Sequence, residues 1–142
     1  KNKKVDKSVS KYIEYEKKNK LDKIETYYKF AKEVEKVKSL SLNKINKIVK
    51  DGKTIIGYGA PAKATTVLNY FGIDERYIKY VIDDSEIKHN KYIPGVNLKI
   101  LNNNNKIIDN VDYVVVLAWN FFDDIVRTNK DIFPKSKFIK LK

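Results

Sequence analysis

The chain has 142 residues, enough for one domain with its own core, and a formal net charge of +12. It has no cysteine and a single histidine, His89, which excludes disulfides and thiolate metal sites and argues against a self-contained Ser-His-Asp triad. No apolar run approaches membrane-spanning length and no signal-peptide pattern opens the chain, so the expectation is a cytoplasmic protein with no membrane partner.

Residues 1–7 are lysine-rich and read as frayed. Ser8 is a candidate cap for a first helix, with Val9, Tyr12, Ile13 and Tyr15 as its apolar side and Asn19-Lys20 at its end. Asp22 reads as a second N-cap, with Glu25 at capping-box spacing. The helix behind it is predicted to reach about Lys50. Its apolar row is Ile24, Tyr27, Ala31, Val34 and Val37, resumed by Leu42, Ile45 and Val49 after a phase slip near Ser41. Asp51-Gly52 stops it. A helix of this length buries one face against a partner, as a brace or inter-domain connector.

From Lys53 the pattern changes to alternating strands and helices. The reading is strand 53–58, helix 61–71, strand 78–83, a loop to about 97 and strand 98–100. A polar stretch Asn102–Asn105 follows, then strand 111–118, helix 121–130 and strand 137–141. This predicts an α/β fold: a Rossmann-like parallel sheet flanked by helices, preceded by a helical N-terminal segment with one long helix. Residues 1–51 are the helical lead-in and 52–142 the Rossmann-like part.

Ligands of such sheets lie past the carboxyl ends of the strands, and three strand ends here carry suggestive residues. The first is Gly57-Tyr58-Gly59-Ala60, followed by Pro61 and Lys63 at a helix start. Such a turn offers backbone N–H groups and a positive dipole end to a phosphate, although the third glycine of the dinucleotide fingerprint is absent and Lys63 stands in its place. The glycines also serve tight strand–helix packing. The second is Asp83-Asp84, where a carboxylate can accept from ribose hydroxyls or cap a turn. The third is Trp119-Asn120, where an indole can stack on a base and an amide can bond a sugar or cap the next helix. His89 sits on a loop and reads as solvated, and Asp123-Asp124 reads as complementing a helix dipole.

The positive charge is nearly all lysine, Arg76 and Arg127 being the only arginines, and it is spread along the chain. That argues against specific nucleic-acid binding. The chain also has no methionine, even at position 1, which predicts a piece of a longer protein.

The span from Ser8 to the end resembles the C-terminal domain of sugar C-methyltransferases of deoxysugar biosynthesis. The resemblance is carried by Ser8-Val9, Tyr28 to Leu40, Gly57-Tyr58-Gly59-Ala60-Pro61-Ala62-Lys63 and Leu68-Asn69-Tyr70. It continues through Tyr80-Val81-Ile82-Asp83, Lys88, Tyr92-Ile93-Pro94-Gly95 and Leu117-Ala118-Trp119-Asn120. It departs from the family pattern at Ala64, where glycine is expected, and in Asp83-Asp84-Ser85-Glu86. It implies a full-length protein with a cysteine-bound zinc in an N-terminal part and S-adenosylmethionine with the catalytic base in a central part. The C-terminal part then holds a nucleotide-linked sugar, with no cofactor and no catalytic residue of its own. The substrate contacts so implied are Gly57, Tyr58, Gly59, Ala60, Lys63, Asp83, Asp84, Tyr92, Trp119 and Asn120. Its partners are the sugar nucleotide and the other two parts. The alternatives are a nicotinamide-dinucleotide domain of an oxidoreductase or sensor, and a structural or interaction module.

Overall fold

A computed structural model describes residues 6–103 and 110–141. Of the residues read as frayed, 1–5 lie outside them, as do Asn104 and Asn105 of the polar stretch, whereas Asp6 and Lys7 form the cap and first residue of a helix. The chain forms two compact units, Lys1–Val37 and Lys38–Lys142.

Helix α1 spans Lys7–Lys18 and ends at Asn19. Its cap is Asp6 and not Ser8: the Asp6 carboxylate accepts from the Ser8 amide at 2.7 Å. An acceptor two residues ahead of the donor satisfies an amide that the helix leaves unpaired. Helix α2 spans Ile24–Lys50 and Gly52 follows it at φ +70°. Asp22 meets its neighbour Lys23 at 3.2 Å. The second unit buries Ser41, Ile45 and Ile48 of α2, while Leu42 and Val49 are only half-buried. There is therefore no phase slip. The row Ile24, Tyr27, Ala31, Val34, Lys38, Ser41, Ile45, Ile48 keeps strict three–four spacing, with two of its places taken by polar residues. Lys38 suits its place by laying its ammonium 4.6 Å from the Tyr70 ring centroid.

The sheet consists of β1 Ile55–Tyr58, β2 Val81–Ile82, β3 Tyr92–Ile93, β4 Leu98–Leu101, β5 Tyr113–Val116 and β6 Lys137–Lys140. Its order is β3-β4-β2-β1-β5-β6. Every pairing is parallel except β3 with β4. Helix α3, Ala62–Phe71, connects β1 to β2, and α4, Phe122–Asn129, connects β5 to β6. Strand β1 is buried throughout, and β5 is buried from Val114 to Val116, as β-branched residues in a sheet interior should be.

Three elements differ from the sequence reading. The second strand is two residues long, because the Asp74 carbonyl opens a turn that takes the Tyr77 and Ile78 amides before the chain pairs with β1. The loop before residue 98 contains a 3-10 turn, Glu86–Lys88, and strand β3, which folds back on β4 in the register Tyr92↔Lys99 and Ile93↔Leu98. A two-residue strand lies below the length at which alternation is readable. The helix after β5 opens as a 3-10 turn, Trp119–Phe121.

Candidate functional site

Strand β1 lies between β2 and β5, so the connections on its two sides diverge there, the place where open α/β sheets form a crevice. The three suspected strand ends follow three adjacent strands, β2, β1 and β5, and the fold brings them together.

The glycines pack first of all against the neighbouring strands. A Cβ on Gly57 would lie 2.9 Å from Val81 Cγ2 and 3.1 Å from Leu117 Cδ1. One on Gly59 would lie 2.8 Å from Ala118 Cβ, and Gly59 has φ +85°. Its amide donates to the Ile82 carbonyl at 2.7 Å, and the Ala60 amide donates to Asp83 Oδ2 at 2.6 Å. These two N–H groups are thus spent within the fold. The next two amides, of Ala62 and Lys63, open α3, where the helical pattern itself supplies no acceptor. Pro61 precedes them in extended conformation and has no N–H.

The two carboxylates at the end of β2 diverge. Asp83 is buried, and its second oxygen also takes the Lys88 ammonium at 3.0 Å while its first takes the Ser85 amide at 2.9 Å. Burial pushes its pKa up. The Ala60 and Ser85 amides and the Lys88 charge outweigh that and hold it below the usual carboxylate value. Asp84 is exposed and accepts from the Tyr58 hydroxyl at 2.8 Å. Burial, then this bond, pushes the Tyr58 phenol up to about 12. His89 Nε2 donates to the Asp83 carbonyl oxygen at 2.7 Å, so the loop imidazole is tied down.

On the β5 side, the Lys63 ammonium stands 4.3 Å from the Trp119 ring centroid. Both side chains are half-buried and Asn120 is exposed. On the β4 side, Ala60 and Tyr92 share an open cavity of ≈ 300 Å³ with Thr65, Lys88, Lys91 and Ile93. Lys91 carried no recognisable signal in the sequence, because it reaches the glycine loop only through the fold-back of β3, whereas Thr65 stands there on the first turns of α3. The turn Pro94-Gly95 is pinned by Asn69, whose amide donates to the Pro94 carbonyl at 2.9 Å and to the Thr65 carbonyl at 2.8 Å. Gly95 is at φ +83°, and a Cβ there would collide with the Asn69 amide oxygen.

A larger depression, ≈ 960 Å³, lies at the opposite end of the strands, beside Thr54, Asp112 and Ser136. Its Asp112 is structural: it takes the Thr54 amide at 2.8 Å and the Lys53 ammonium at 3.0 Å, joining the starts of β1 and β5. Among the described residues no group of three or more His, Cys, Asp or Glu side chains could share a metal ion, and no helix is long and apolar enough to cross a membrane. With no cysteine, this chain does not supply the donors of a zinc–thiolate centre.

A family model described as the C-methyltransferase C-terminal domain matches residues 1–140. The C-methyltransferase NovU of Streptomyces niveus is 32% identical over 87 residues, which cover 61% of this chain. The match spans 21% of the length of NovU.

Proposed function

This chain belongs to the C-methyltransferase C-terminal domain family, and on that footing we propose that it holds and orients the nucleotide-linked sugar that such an enzyme methylates. The observation that carries the proposal is the Lys63–Trp119 pair, a cation on an indole beside a helix opening at the crevice between β1 and β5. A diphosphate fits the Ala62 and Lys63 amides and the Lys63 ammonium, where the helix dipole favours an anion. Trp119 offers its face to the base. Asp84, at the surface, accepts from ribose hydroxyls, whereas Asp83 shapes the loop through Ala60. Gly57 and Gly59 let the strands close around the site, with Tyr58 steadying Asp84. Tyr92 lines the sugar side of the crevice and Asn120 its rim.

S-adenosylmethionine supplies the methyl group, and its site, the zinc site and the base that removes the sugar C–H proton belong to the remainder of the enzyme. The residues of this chain bind and orient, and holding a substrate at the reacting geometry can supply much of a barrier reduction.

The test is calorimetric titration of this chain, and of the intact enzyme, with thymidine and guanosine diphosphate sugars. A hydrogen bond to a charged group is worth about 1.5–3 kcal/mol, so Lys63→Ala should weaken binding by roughly tenfold to a hundredfold. The variant is first shown to be folded by circular dichroism. Unchanged affinity, or tighter binding of a nicotinamide dinucleotide than of any sugar nucleotide, sinks the proposal.

A further inference from the structure

The strict three–four row of α2 is covered at one end and bare at the other. Ile45 is fully buried and Ile48 nearly so, yet Ile24 is 57% exposed and Tyr27 52%. A row of one period along one helix is one buried face, so its bare half is missing a partner. The bare half is also wide. Tyr28 and Phe30 flank the row on its two sides, at 64% and 68% exposure. In a two-stranded coiled coil those flanking positions carry charges, so this face suits a broad folded surface rather than a second copy of the same helix. Helix α1 adds exposed Tyr12 and Ile13.

Charge narrows the occupant further. Residues 24–37, which carry the bare half of the row, hold three lysines and three glutamates and are electrically balanced, within a chain of net charge +12, and α1 adds four lysines against two glutamates. A surface for nucleic acid or an anionic bilayer would concentrate the basic excess here. Finally, the chain's match spans only 21% of NovU, so most of a C-methyltransferase lies outside the region this chain represents.

We propose that the apolar face of α1 and of the first half of α2 is the docking surface for the methyl-donor-binding remainder of the same enzyme. This rests on the functional reading above only in taking the chain as one part of a larger C-methyltransferase.

Amide hydrogen exchange on this chain and on the intact enzyme tests it. In the isolated chain, which should sediment as a monomer, amides 26–36 exchange as a solvated helix. In the intact enzyme they slow by roughly tenfold or more. The pair Tyr28→Ser and Phe30→Ser removes that protection in the intact enzyme and leaves sugar-nucleotide affinity of the isolated chain unchanged. Equal exchange in both forms overturns the proposal. So does a concentration-dependent dimer of the isolated chain, or vesicle binding by it, that the double substitution abolishes. Protection without sugar-nucleotide binding would refute the functional reading and leave the docking surface standing.

Discussion

Asp83 and Gly59 show how single residues shape the loop after β1. Asp83 bonds the amide of Ala60, 23 residues earlier in the chain, and so fixes the loop after β1 from the end of β2. Asp83→Asn keeps one acceptor but turns an N–H₂ toward donors, and should cost about 2 kcal/mol. The pH dependence has a definite sign. The folded carboxyl is held below its ordinary value of 3.8, so its contribution is present above that value and is lost as pH falls through the depressed one. Thermal melts between pH 2 and pH 5 (roughly this window) should show a shallower acid loss in Asp83→Asn; an unchanged acid limb would deny the carboxylate this role. Gly59→Ala should destabilise by about 1–3 kcal/mol through strain at positive φ and contact with Ala118. Adding Ala118→Gly should recover part of that loss in denaturant titrations. A fully additive double variant would show that Ala118 is not the obstacle.

At the scale of the element, α2 is a helix whose two halves have different surroundings. Ile45 is fully buried, and Ile45→Ala should cost about 2–5 kcal/mol. Ser41 is one of the two polar residues in the same row, and its Oγ is buried with no hydrogen-bond partner among the described residues. Ser41→Ala removes that unsatisfied hydroxyl and improves helix propensity, so it should raise stability by about 1 kcal/mol. Chemical denaturation of the two variants checks both signs. A destabilised Ser41→Ala protein would mean that the hydroxyl is satisfied in solution. The two-residue strand β3 matters for the opposite reason. It brings almost no pairing of its own, yet it carries Tyr92 and Lys91 to the wall of the glycine-loop cavity.

For the whole molecule, the charge of +12 is built almost entirely from lysine, with glutamates interleaved in the helical lead-in. Lysine is a compact, strongly hydrated charge and lacks the planar fork with which arginine reads guanine. Affinity for nucleic acid should therefore be weak, steeply salt-dependent and indifferent to sequence. Fluorescence anisotropy with unrelated duplexes at two salt concentrations measures this. A strong ranking among sequences at physiological salt would contradict it.

The sequence by itself determined the elements whose signals are local. Glycine marked the end of α2, and proline the start of α3. Apolar runs alternating with helices announced a parallel sheet, and a series of motifs in order pointed to the C-methyltransferase family. Local chemistry also pointed to the three strand ends. Which of their groups are used within the fold was decided by contacts between distant residues. Whether the Ala60 amide faces a phosphate or Asp83 depends on β2 lying beside β1. Lys63 and Trp119 meet because β5 lies on the other side, and Gly59 is required because Ala118 presses on it there. The reading of a phase slip at Ser41 failed because Lys38 and Ser41 occupy a buried row that apolar counting skips. Periodicity and turn chemistry act within a few residues, whereas sheet order sets which atoms compete for each backbone donor, and only the folded chain contains that order.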